Sequence, residues 1–244
     1  MIRLHVFPDP WGINPSPFCL KVETYCRLAD IPFVAVPTLP VRAPRRKLPF
    51  MSDGRERVAD SGLIIEHLAR RHGDPLDRDL SKEQLAQGHL IRRTCEESLY
   101  FVLLHFRWID PAGWKVNRQA LFGSLPPLAR NAVPLIARRG IRRALYAQGY
   151  GRHPPEEISA LGAADLDALA TTLEAHPFAV SDRPTSYDAV LYGFLANIIS
   201  VPVESALKEL GCRHSVLVAY VERMRSALER GSGDRRSEER IRAD

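Results

Sequence analysis

Strand signals crowd into the first 72 residues of this 244-residue chain and nearly vanish after residue 80. So divided, the chain reads as a small α/β unit followed by an all-helical one, because a sheet of a few short strands needs helices on its faces to bury it. "IRLHVF" (Ile2 to Phe7) is short, rich in β-formers and stopped by Pro8 and Pro10, which predicts a strand. From Pro17 to Ala29 the apolar residues Phe18, Val22, Tyr25 and Ala29 recur at helical spacing, with Pro17 suited to the first turn. "IPFVAV" (Ile31 to Val36) is a second strand. "LPFM" and "RERVAD" flank the turn Ser52 to Gly54 and read as a hairpin, and "SGLIIEHLARRHG" reads as a helix capped by Gly73. The order βαβ, connection, ββα predicts a small mixed sheet over residues 1–73.

Asp74 to Leu80 is polar and proline-containing, the natural linker. "SKEQ" (Ser81 to Gln84) is a capping box that starts a helix, and Leu85, Ile91, Cys95, Leu99, Val102 and Phe106 carry an apolar stripe toward "RWIDPAGW". Further helices are expected at Arg118–Leu125, Pro134–Tyr146, Pro155–Ala175, Thr185–Ile199 and Ser215–Arg230, filling a helical domain over residues 81–230. Thr185 and Asp188 form a second capping box, and "AVLYGFLANII" beyond it is apolar nearly all round, which marks a helix at the centre of a bundle. Residues 231–244 have almost no apolar side chains and are expected to be disordered.

Composition narrows the function. No apolar run approaches the roughly 20 residues of a spanning helix, and "MIRLHVFPDP" has no signal-peptide hydrophobic region, so the expected address is cytoplasmic with no membrane partner. Four scattered cysteines give neither a disulfide framework nor zinc-ligand spacing, so reduced thiols and no metal are expected. The 34 basic residues are interleaved with 29 acidic ones, which argues against nucleic acid; only "RRGIRR" (Arg138 to Arg143) is concentrated, and it reads as a solvated helix face.

Three stretches of the first domain line up: "SPFC" (Ser16 to Cys19) after strand one, "KLPF" entering the hairpin, and "ADSGLIIEHL" opening its last helix. Together they resemble the thioredoxin-like domain of the cytosolic glutathione transferases, followed by their helical second domain. With "SPFCLKVETYCRLADIPF" and "RWIDPAGW", the chain looks most similar to the branch shared by bacterial transferases, failed-axon-connections proteins and metaxins, over about residues 1–230.

The first stretch has a physical reason to hold a thiolate. A free thiol titrates near 8.5, and the N–H groups at a helix start, with a donated hydrogen bond, lower that value. Ser16 supplies a hydroxyl at such a place, and the resemblance makes it the catalytic residue that activates glutathione; a plain helix cap is the alternative reading of the bare residue. A hydroxyl forms no mixed disulfide, which disfavours thiol exchange on the protein. Cys19 and Cys26 lie on the apolar stripe and read as core.

The resemblance makes Pro49 a cis-proline whose neighbour, Leu48, offers backbone groups to the cysteinyl part of glutathione; a trans proline at a strand start is the alternative. It assigns Ser61 to the γ-glutamyl carboxylate and Asp60 to the ammonium, although both residue types also cap helices. Arg45, Arg46 and Lys47 read as a solvated loop. His89, Arg92, Arg93, Glu96, Glu97 and Tyr100 lie close to the apolar stripe, some facing the cleft, and Trp11, Trp108 and Trp114 are candidates for an electrophile pocket. The loop "PDPWGIN" has no tyrosine, which excludes a tyrosine-type mechanism there.

The function so implied is a homodimeric glutathione transferase with glutathione as co-substrate and a small apolar electrophile. The alternatives are a non-catalytic binding or scaffolding protein of the same fold and a glutathione-dependent thiol reductase.

Overall fold

The computed structural model describes residues 1–230, with the backbone of the last helix followed to Ile241. Of residues 231–244, where disorder is expected, residues 231–241 continue the last helix in backbone, and residues 242–244 lie outside the described residues.

Four strands form one mixed sheet in the order β2-β1-β3-β4. They are β1 (Ile2–Val6), β2 (Phe33–Pro37), β3 (Phe50–Asp53) and β4 (Glu56–Ala59). Strand β1 pairs in parallel with β2 and antiparallel with β3, which pairs antiparallel with β4. Alternation along β1 buries Ile2, Leu4 and Val6. Helices α1 (Pro17–Leu28) and α2 (Ser61–His72) join them in a core with Val22, Tyr25, Met51, Ile64 and Leu68. Gly73, in the left-handed region at φ 73°, ends α2 as expected.

The rest is helical: α3 (Lys82–Arg93), α4 (Tyr100–Leu104), α5 (Pro111–Phe122), α6 (Pro127–Gln148), α7 (Pro155–Ala175), α8 (Ser186–Ile199), α9 (Ala206–Arg213) and α10 (Ser215–Ile241). Both capping boxes form, Ser81 with Gln84 and Thr185 with Asp188. Helix α8 is buried on every side and packs along α1; a Cβ on Gly193 would stand 2.8 Å from the Pro17 carbonyl oxygen, so only glycine permits that approach.

Three helical expectations change. The long helix from Ser81 is interrupted by π-helical turns at Thr94–Leu99 and His105–Ile109, which periodicity at 3.6 residues cannot express. The expected Arg118–Leu125 helix instead begins at Pro111, because the Asp110 carboxylate accepts from Gly113 N at 2.9 Å and Pro111 suits the first turn. The helix expected from Pro134 starts seven residues earlier, at Pro127, and runs through a buried Pro134 at the cost of one backbone hydrogen bond. No helix among the described residues is long and apolar enough to cross a membrane.

Candidate active site

The register of the sheet brings the three singled-out stretches to one end of it. His5 pairs with Phe50 and Phe50 with Ala59, so the loop after β1, the Leu48–Pro49 peptide before β3 and Asp60–Ser61 after β4 all leave the sheet at the same edge. The Leu48–Pro49 bond is cis. Asp60 sits at φ 94°, a backbone that L-residues rarely adopt, and its carboxylate accepts from Gly62 N at 2.9 Å to cap α2.

Ser16 caps α1. Its Oγ accepts from Cys19 N at 3.4 Å, and its hydroxyl lies within hydrogen-bonding reach of the buried Cys19 thiol, a weak acceptor. The loop carrying it is held from three sides. Ser16 N donates to Asn14 Oδ1 at 3.1 Å, and Asn14 Nδ2 donates to the Phe7 carbonyl at 3.0 Å and to Glu23 Oε1 at 3.1 Å. Asn197 of α8 donates to the Asn14 carbonyl at 3.1 Å. The third hold is Arg107, buried with no carboxylate partner among the described residues. Its guanidinium donates to the carbonyls of Pro15 and Asn197, both at 2.6 Å, and to Asn197 Oδ1 at 2.8 Å. It lies 5.3 Å from the Trp11 ring centroid, a cation–π distance. Burial lowers its pKa to about 9, so it is still a cation at neutral pH, immediately behind the Ser16 loop.

A second buried charge cluster underlies Ser61. Lys21, 1% exposed, donates from Nζ to Glu96 Oε1 at 2.6 Å and to Ser61 Oγ at 3.3 Å, while Arg92 Nε donates to Glu96 Oε2 at 3.0 Å. A Cβ on Gly62 would meet the Arg92 guanidinium at 2.2 Å, so a larger residue at the start of α2 would push that side chain from its place beside Glu96. Beside this cluster opens a cleft of about 270 Å³ lined by Lys21, Tyr25, Glu66, Arg92 and Tyr187; Ser16, Leu48 and Pro49 do not line it.

The remaining expectations sort cleanly. Arg45, Arg46 and Lys47 are exposed. Of the polar residues beside the apolar stripe, Arg92, Glu96 and Tyr100 turn inward, and His89, Arg93 and Glu97 stay exposed. Trp108 and Trp114 stack with centroids 5.6 Å apart at the base of α5. Cys19 and Cys26 are buried, and burial raises both thiols to about 12, which fits core residues and no redox pair. No group of three His, Cys, Asp or Glu among the described residues could hold a metal ion.

Sequence reasoning missed Asn14, Lys21, Glu23, Arg107 and Asn197. The available signal was a charge within an otherwise apolar helical pattern, as at Lys21 and Arg107. Glu23 makes the consequence measurable. Burial raises its carboxyl to about 7, against an ordinary value near 4.3. The folded state therefore holds a proton that the unfolded state gives up, and stability falls as pH rises through the window between those values, by about 3–4 kcal/mol in all. Glu23→Gln should flatten that slope and stabilise the protein at pH 8 far more than at pH 5. Chemical denaturation at the two pH values tests this, and an equal effect at both would refute it.

Among solved structures, apo glutathione S-transferase III matches with a TM-score of 0.60 at 17% identity, covering 95% of each chain. The beta-etherase LigF of Sphingobium sp. strain SYK-6 matches with a TM-score of 0.62 at 15% identity, covering 96% of this chain and 99% of that one. The fold is that of a thioredoxin-like domain joined to a helical one, as these proteins have it. Residues 17–113 match the family described as "Glutathione S-transferase N-terminal domain" and residues 162–224 the family "Glutathione S-transferase, C-terminal domain". The isoprene-epoxide–glutathione S-transferase of Rhodococcus sp. (strain AD45) is 36% identical over 234 residues, 92% of this chain and 98% of that protein. Failed axon connections of Drosophila melanogaster is 31% identical over 226 residues, 86% of this chain and 53% of that longer protein. The chain belongs to the glutathione S-transferase family.

Proposed function

We propose that this chain is a glutathione transferase acting on a small apolar electrophile. The observation that carries the reading is the Ser16 hydroxyl at the start of α1, with the buried Arg107 cation behind its loop. A thiol bound there loses its proton more easily, because the helix start, the hydroxyl and the guanidinium all favour the anion. Glutathione lies with its cysteinyl backbone against Leu48 and Pro49, its γ-glutamyl carboxylate at Ser61 and its ammonium near Asp60. The name of the Rhodococcus relative pairs glutathione with an isoprene epoxide, and an epoxide of that size is the electrophile class we assign. Sulfur bonds to a ring carbon as the carbon–oxygen bond breaks, and the oxygen takes up a proton in place of the one the thiol released.

The same reading sets the glutathione domain at residues 1–73, a linker at 74–80 and the helical domain at 81–230, in a cytoplasmic homodimer. Calorimetry with glutathione at pH 7 tests it. Wild type should bind, and Ser61→Ala should bind roughly tenfold more weakly, the loss of one hydrogen bond to a charged group. No binding by wild type would refute the reading. Binding without turnover of any small epoxide would favour a non-catalytic binding protein, a reading supported by relatives such as failed axon connections, whose name carries no transferase activity.

A further inference from the structure

Helix α6 exposes apolar side chains that nothing on the protein covers. Five of the thirteen large apolar residues exposed among the described residues sit on it, with Leu128 at 89%, Ile136 at 72% and Leu135 at 65%. Its 22 residues also hold five arginines and no acidic residue. At about 100° per residue, Leu128, Leu135, Ile136, Arg139, Arg142 and Arg143 share an arc of about 120° that leaves out Pro134 and Leu145, the two buried positions. Along the axis the leucines and isoleucine come first and the three arginines follow. Of the other two arginines, Arg130 is exposed and Arg138 is turned inward, donating to the carbonyls of Trp108 and Ile109 at 2.7 and 2.9 Å and lying 4.9 Å from the Trp114 ring centroid. That anchor fixes which face of α6 looks outward. The helix also lies between the two family-matched segments, within residues 114–161 that neither match covers.

Charge selects the partner. A second copy of the helix, paired antiparallel about a two-fold axis, would press the arginine half of each helix onto the apolar half of the other with no acidic residue on either to answer the charge, and plain solvation leaves three large apolar side chains in water. A surface that is both anionic and apolar satisfies both halves. We propose that α6 is a membrane-surface helix that lies on an anionic bilayer, with Leu128, Leu135 and Ile136 in the acyl boundary and Arg139, Arg142 and Arg143 on lipid phosphates. The helix lies on the bilayer without spanning it. This goes beyond the transferase reading and does not depend on it, and it adds a membrane surface where the sequence pointed to a solvated face.

Co-sedimentation of the full chain with vesicles tests it, using phosphatidylcholine alone and phosphatidylcholine with about one-third phosphatidylglycerol. Wild type should sediment with the anionic vesicles and not with the neutral ones. Arg139→Gln, Arg142→Gln and Arg143→Gln together should weaken partitioning roughly a hundredfold, at about fivefold per charge. Leu135→Ser with Ile136→Ser should weaken it at least about tenfold through lost apolar burial. Thermal melting and glutathione affinity should stay at wild-type values in both variants, since these side chains are exposed and remote from Ser16 and Ser61. Absence of binding to anionic vesicles, equal binding to neutral ones, or full binding by the arginine variant would overturn the proposal. A change of oligomeric state in that variant without lipid, seen by light scattering, would equally overturn it and make the face a protein interface.

Discussion

Ser16→Ala should lower kcat/KM for glutathione conjugation by about 10²–10³, the usual cost of removing one preorganised donor from a developing or held anion. The loss should fall on kcat, with KM for glutathione changing little, because the cysteinyl and γ-glutamyl contacts lie on other elements. The direct readout is the thiolate absorbance of the enzyme–glutathione complex across pH. In wild type the bound thiol should titrate well below its free value near 8.5, and in the variant it should move back toward it. Ser16 Oγ accepts from Cys19 N, and its hydroxyl need only turn away from the weak Cys19 thiol acceptor to reach a bound sulfur. Loss of the cap should cost only about 1 kcal/mol of stability, which separates a structural effect from a chemical one. An unchanged thiol titration would show that Ser16 is a cap and nothing more, with Arg107 and the helix start as the remaining sources of activation.

The sequence was informative where chemistry is local. Ser16 before Pro17, the X-Pro entry to the hairpin, Asp60–Ser61 and both capping boxes are each specified by residues within four positions of one another, and each stands where expected. What lay hidden is what distant segments do together. Lys21 reads as a polar residue on an amphipathic helix, yet α1 is enclosed by the sheet on one side and α8 on the other, so its ammonium is sealed in and must find Glu96, 75 residues away. Glu96 and Arg107 both point inward because each sits in a π-helical turn, whose extra residue shifts the facing of the side chains that follow. A 3.6-residue period carries those two charges on the wrong phase, and only the turn itself restores it.

The Lys21–Glu96–Arg92 cluster should respond unequally to the removal of its members. Glu96→Gln keeps the shape and takes away the acid in direct contact, leaving the Lys21 ammonium, at 1% exposure, with polar oxygens and only the Asp60 carboxylate, not bonded to it, nearby. Stripping one partner from a buried pair costs about 3–5 kcal/mol. Lys21→Met should cost clearly less, because Glu96 keeps Arg92 at 3.0 Å and the methionine fills the volume. The combined variant should sit near Lys21→Met rather than at the sum, and that coupling energy is what a double-mutant cycle measures by chemical denaturation. In Glu96→Gln the buried lysine, whose pKa burial already lowers in the wild type, titrates still further below its unfolded value. The unfolded state then binds the extra proton, so stability should rise with pH toward the ordinary lysine range over a wider window, and by more, in that variant than in wild type. Because Lys21 also donates to Ser61 Oγ, Lys21→Met frees that oxygen to turn, and glutathione affinity should drop in a way that Ser61→Ala abolishes. Equal losses in the two single variants, with no coupling and no added pH slope, would mean that the three charges are solvated independently and that the buried network does not exist.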